Sequence, residues 1–254
     1  MTTWRVNPAG LLWLGFFALI LVSWMLLFFL AMGGPGDDFP AAIWEALCGA
    51  PLTADFPTLL GMWALMSAAM MLPTFVPALR TFLHLGATGA TRAVDGAALV
   101  AGYVLIWTAG AVIGASGQMV LAKAGLLAPD GSSLSPWLSS ALLLTAGLYQ
   151  LTHLKAACLA KCRMPLTFFM ERWAPGTPRA FRMGVELGVL CFGCCWALMA
   201  LAFVGGTMNL IWMGAATLFM IMEKLPDIGR VLTRPAGWLL LLAAGAQALA
   251  ALFS

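Results

Sequence analysis

The chain has 254 residues, 62% of them hydrophobic and only 9% charged, a balance that excludes an ordinary soluble domain and places it in a lipid bilayer. The net charge of +3 is no basis for nucleic-acid binding, because it comes from loop charges that report membrane orientation. No GxxxxGK[ST] nucleotide loop and no array of buried carboxylates occurs, so ATP-driven or proton-coupled pumping lacks its machinery.

A crossing needs roughly 20 mostly apolar residues. The apolar runs predict an all-α, polytopic helical membrane protein of about seven transmembrane helices, at 11–32, 58–79, 96–121, 136–154, 183–204, 207–222 and 235–253. The first run is expected to remain as an anchor: it is too long for the apolar part of a signal peptide, and no convincing small-x-small cleavage site follows it. The sixth is the shortest, about 24 Å at 1.5 Å per residue, and pairs with the fifth across Gly205 and Gly206. The chain reads as one integral membrane domain over 1–254, with an acidic external loop at 33–57 and a basic cytoplasmic connector at 155–182.

Orientation follows from Lys and Arg, which collect in cytoplasmic loops. With seven spans and a cytoplasmic N-terminus, Arg5, Arg80, Arg92, Lys155, Lys161, Arg163, Arg172, Arg179, Arg182, Lys224, Arg230 and Arg234 fall inside or at the inner edge. Only Lys123 falls outside. The predicted address is a bacterial inner (cytoplasmic) membrane. The external loop carries Asp37, Asp38, Glu45 and Asp55 without a base, and Cys48 there has no external partner for a disulfide. In the connector, Pro165 opens a short interfacial helix with Leu166, Phe169, Met170 and Trp173 on one face.

Sulfur is the chemistry that stands out. In the second span Met62, Met66 and Met70 recur every four residues and share a helix face, with Met71 adjoining. The fifth span carries Cys191, Cys194 and Cys195 in "CFGCC", a spacing that puts three thiols on one face, and Met199 extends it by a turn. Counted along the helices, both clusters fall near the middle of the bilayer. A single Met or Cys is ordinary core filling. Three clustered thiols invite oxidation without adding contact, which favours a functional reading. Thiolate and thioether donors suit Cu(I), with zinc the weaker candidate. Calcium and magnesium need clustered oxygens that the spans lack.

A second group lies at the inner end of the fourth span. Lys155, Cys158 and Cys162 are spaced i, i+3, i+7, so neighbouring cations are expected to favour thiolate there. His153, a further candidate metal ligand, lies on another face, and Glu223 with Lys224 sits at the inner edge of the sixth span, where an ion pair with Lys155 is the simple alternative to a metal role. Glu186, the one carboxylate clearly inside a span, is expected to function as such or to pair with Arg182.

The segments "MWALMSAAMMLPT", "LKAACLAKCRMP", "CFGCCWALM" and "GTMNLIWMGAATLFMIMEK" together resemble a bacterial family of predicted metal-binding integral membrane proteins, some of them labelled copper chaperones. The resemblance covers about residues 62–224. It implies metal ligands among Met66, Met70, Met71, Cys158, Cys162, Cys191, Cys194, Cys195 and Glu223, which match motif positions.

The resulting expectation is a membrane protein that binds Cu(I) and transfers, chaperones or delivers it, without being an enzyme. The midplane sulfur cluster would be the site and Cys158 with Cys162 a cytoplasmic transfer point. Expected partners are the lipid bilayer and another membrane protein or a copper-requiring enzyme. Two other readings compete: an accessory or assembly subunit of a larger membrane redox complex, and a membrane dithiol oxidoreductase using a Cys-x-x-Cys pair.

Overall fold

A computed structural model describes residues 8–31, 55–86, 92–207 and 209–253. Cys48 and nearly all of the acidic loop lie outside the described residues. Among the described residues the secondary structure is helical, apart from one isolated bridge between Leu127 and Ser133. The helices are α1 (Pro8–Ala31), α2 (Phe56–Gly86), α3 (Ala93–Lys123), α4 (Pro136–Gln150), α5 (His153–Arg163), α6 (Pro165–Arg172), α7 (Thr177–Ala200), α8 (Ala202–Gly205), α9 (Leu210–Lys224) and α10 (Pro226–Phe253).

Five helical segments are long and apolar enough to cross a membrane: Pro8–Phe29, Phe56–Leu85, Ala93–Lys123, Thr177–Gly205 and Pro226–Phe253. The expected fourth and sixth spans are shorter than that. The fourth does not continue to residue 154; it stops at Gln150, and Thr152 then caps a separate helix by accepting from the Lys155 amide. The sixth begins only at Leu210, where the Asn209 side chain accepts from the Trp212 amide. Each is a 15-residue helix, about 22 Å long. The other helices overrun their apolar runs, because α2, α3, α7 and α10 extend into the flanking polar residues that the hydropathy pattern assigns to connectors.

The principal packings are α3 on α7, α10 on α4, α2 on α3 and α1 on α2. At the α3–α7 crossing the backbones meet directly. A Cβ on Gly102 would lie 2.2 Å from the Phe181 carbonyl oxygen, and one on Gly184 would lie 2.0 Å from that of Leu99. Small residues permit this approach, the mode of helix association that works without a hydrophobic driving force. On α2, Pro73 cannot donate to the carbonyl of Ala69 four residues earlier. The indole of Trp24 on α1 donates to that carbonyl at 2.9 Å instead, so a helix defect becomes an interhelical bond.

The polar contacts sort into two ends. At one, the Ser133 amide donates to the Phe203 carbonyl at 2.7 Å and the Thr207 hydroxyl to that of Asp130 at 3.3 Å, joining the α3–α4 loop to the turn between α7 and α9. At the other, the basic end, Thr177 donates to Asp95 at 2.6 Å, tying α7 to α3. There too, Lys155 of α5 meets Glu223 of α9 at 2.9 Å, both side chains buried, with Gln150 of α4 bonded to each. Glu186 is paired with Arg182 as expected, at 3.4 Å, and more closely with Arg172, at 2.8 Å.

Pro165 does open α6, but the predicted face is divided. Phe168 and Phe169 are fully buried, Phe169 packing on Phe82 of α2, while Leu166 and Met170 are exposed. The aromatic contact with α2 sets the rotation of this helix, and a one-helix pattern contains no information about that partner.

Candidate metal centre

Cys191, Cys194 and Cys195 are all buried on the α7 face turned into the bundle. Their sulfurs lie within 4.8 Å of one another, the one such cluster of ligand-type side chains among the described residues. The Cys194 and Cys195 sulfurs are 3.2 Å apart, and Cys194 Sγ is also 3.2 Å from the Cys191 carbonyl oxygen. All are free thiols.

Two residues outside α7 hold Cys191. Tyr103 Oη of α3 is 3.0 Å from its sulfur and donates to the Met71 carbonyl of α2 at 3.1 Å. Lys224 Nζ, at the end of α9, donates to the same sulfur at 3.1 Å and to Thr74 Oγ1 at 2.7 Å. Donor accounting gives the network a direction. A tyrosine has one hydroxyl proton, and here Met71 takes it, so a protonated Cys191 donates to Tyr103 while accepting from Lys224. The ring of Tyr103 is held by stacking against Phe75, with centroids 4.1 Å apart.

The two sulfur groups that the sequence separates by depth come together. Cys162 of α5 lines the same cavity as Cys191, and Cys158 lies against Gly193, where a Cβ would meet its sulfur at 3.0 Å. The thiols lie within reach of side chains from the basic end, Lys224 donating to Cys191 at 3.1 Å. Helix length is the reason. With 24 residues in α7 and 15 in each of α4 and α9, the shorter helices stop about 14 Å sooner, which brings α5 and Lys224 up to the level of the thiols.

The remaining predicted residues take other places. Met66, Met70 and Met71 are buried on α2, and Met71 joins the network through its backbone carbonyl. Both Glu223 carboxylate oxygens are engaged, by Lys155 and Gln150, and His153 is exposed. Lys155 is committed to that pair, so it does not activate Cys158; burial pushes the Cys158 thiol up, opposite to the expected thiolate. The sequence reading misses Tyr103 and Thr74 and places Lys224 only at an edge. One signal was available for Tyr103: it is one of two tyrosines in the chain, set inside an apolar run.

A family model described as PpoB2, copper chaperone, matches residues 60–247. The chain belongs to the PpoB2 copper chaperone family. The match includes the triad, α5, the α2 methionines and most of α10, so the likeness extends beyond residue 224, where the sequence resemblance stops. No curated protein and no solved structure matches the chain.

The donor set can be tested against copper directly. Soft sulfur donors favour Cu(I), and a three-coordinate ion with metal–sulfur bonds of about 2.3 Å needs sulfurs about 4 Å apart. Sulfurs gathered within 4.8 Å are close to that spacing, so the triad could hold such an ion. Oxygen donors are absent from the triad, which disfavours hard cations.

Proposed function

We propose that this protein is a multi-pass membrane copper chaperone that carries Cu(I) as cargo on Cys191, Cys194 and Cys195 and passes it on by thiol exchange through Cys162. The observation that carries the reading is the buried three-sulfur cluster with a fourth thiol, Cys162 of another helix, in the wall of the cavity that reaches it. Each transfer forms a copper–sulfur bond to the incoming thiol and breaks one to the departing thiol, with the proton moving the other way. Copper remains Cu(I) throughout, so neither an oxidant nor a nucleotide is required. The family membership supports the same metal. An α2 thioether, from Met66, Met70 or Met71, completes the ligand set.

Seven crossings with the N-terminus in the cytoplasm remain the topology we favour. Although α4 and α9 are short, each runs from the end marked by Ser133, Phe203 and Thr207 to the end marked by Gln150, Lys155 and Glu223. The basic residues then face the cytoplasm, in a bacterial inner membrane. The receiving partner is a copper-requiring membrane enzyme.

Elemental analysis of protein purified under reducing conditions tests the metal. Replacing Cys194 and Cys195 together by Ser nearly preserves volume and is expected to remove most bound Cu(I); Met70→Leu with Met71→Leu keeps volume but removes the thioether donors. Folded double variants that both retain stoichiometric copper would mean that the thiols are core packing and the site lies elsewhere.

A further inference from the structure

A cavity of about 230 Å3 opens onto the metal centre between α2, α5 and α9, and Thr74, Tyr103, Cys162, Arg163, Cys191 and Lys224 are among its walls. It contains one thiol of the triad, one thiol of α5 and two cationic side chains, while no carboxylate lines it. Glu223, the nearest acid in sequence, is turned away into its pair with Lys155. The cations are positioned by neutral partners: Lys224 by the Thr74 hydroxyl, Arg163 by the Glu223 backbone carbonyl at 2.8 Å and the Thr233 hydroxyl at 3.1 Å. Among the described residues neither forms an ion pair with a carboxylate, and Glu223 acts on Arg163 only at longer range, so the cavity wall keeps a net positive character.

We infer that this cavity admits copper as an anionic Cu(I)–thiolate complex of a small carrier thiol, and that Lys224 and Arg163 recognise its negative charge. The inference rests on the copper reading of the triad and adds the form in which the cargo arrives. Chemistry gives the reason for the charge. A Cu(I) ion held by two thiolates carries a net charge of −1, and carboxylates on the carrier make it more negative. A bare cation would be repelled by a wall of two cations, whereas the anionic complex is attracted and oriented with its sulfurs toward Cys162 and Cys191. In the first exchange a copper–sulfur bond to Cys162 or Cys191 forms, one to the carrier breaks, and the thiol proton leaves with the carrier thiol. A second exchange frees the other carrier molecule. Copper stays in the +1 state. The volume suits the sulfur end of such a complex, with any remainder of the carrier outside.

The test uses the full-length reduced protein in detergent without oxygen, with Cu(I) supplied on three thiols of different charge: glutathione (anionic), dithiothreitol (uncharged) and cysteamine (cationic). Stopped-flow absorbance of the copper–thiolate bands reads the loading rate. Glutathione is expected to load fastest and cysteamine slowest, with a spread of about tenfold at low salt that shrinks at high salt as screening shortens the reach of the charges. Lys224→Gln should collapse the spread, and Lys224→Arg should retain it. Equal rates for the three carriers, or a spread unchanged in Lys224→Gln, overturn the inference while leaving the copper reading intact. The carrier series on the unaltered protein decides the matter even if Lys224→Gln does not fold. Failure of all three carriers to load stoichiometric copper overturns the copper reading, and the inference with it.

Discussion

Cys158 and Cys162 are four residues apart on one helix, yet they meet different surroundings, and reactivity should show it. Burial raises the Cys158 thiol, so its reactive thiolate is scarcer at neutral pH than in an ordinary exposed cysteine. Alkylation of Cys158 by iodoacetamide is therefore expected to be slow at pH 7 and to keep climbing with pH after free cysteine has levelled off; mass spectrometry of the modified peptide follows it. A rate at pH 7 matching free cysteine would contradict the burial. The thiols themselves were legible in the sequence, because spacing alone places Cys191, Cys194 and Cys195 on one face. Their setting was not. Tyr103 and Lys224 come from helices 88 and 33 residues away in the chain, and no local pattern encodes which helix end meets which sulfur. Lys155 illustrates the same point in reverse: its spacing to Cys158 suggested activation, while its actual partner is a carboxylate on α9.

The helices show why hydropathy found every segment but misjudged their lengths. An apolar run marks the part of a helix that faces lipid or core, whereas its ends are fixed by caps such as Thr152 and Asn209 and by charged residues that stay helical outside the apolar layer. Thus α7 starts at Thr177, well before its apolar run, and the expected fourth span breaks into α4 and α5. Glycine at the α3–α7 crossing has a measurable consequence. Gly184→Ala places a methyl group on the Leu99 carbonyl and forces the two helices apart, a cost of about 1–3 kcal/mol for overpacking. Gly117→Ala, on α3, the partner of α7 in that crossing, but with no atom within 4 Å of the new Cβ, is the control and should be neutral to slightly stabilising, by up to about 1 kcal/mol. Thermal unfolding in detergent compares them. Equal melting temperatures would show that the close crossing does not contribute to stability.

At the scale of the whole molecule, the two ends of the bundle differ in what they can do. Arg92, Lys155, Lys161, Arg163, Arg172 and Lys224 collect at the end where the thiol cluster is reached through a cavity, and the opposite end is joined by neutral contacts among the α3–α4 loop, α8 and Thr207. In the proposed topology the basic end, and with it the access to Cys162 and Cys191, faces the cytoplasm. An odd number of crossings follows if α4 and α9 both cross. Each is about 22 Å long, short of a ~30 Å core, but their termini lie among loops and buried polar groups contributed by other helices, so their unpaired backbone groups face protein rather than lipid. A reporter that is active only outside the cytoplasm, fused after Phe253, should be active, and one fused after Lys224 should be silent. The C-terminal result alone would miss a paired error, since five crossings by the long helices predict the same outer C-terminus. The discriminating fusion is at Gly206: seven crossings put it outside, five put it in the cytoplasm, and both put the loop after Lys123 outside. If the Gly206 fusion reports a cytoplasmic position, α7 does not cross with α9 returning, and the basic end cannot be the one face from which copper enters.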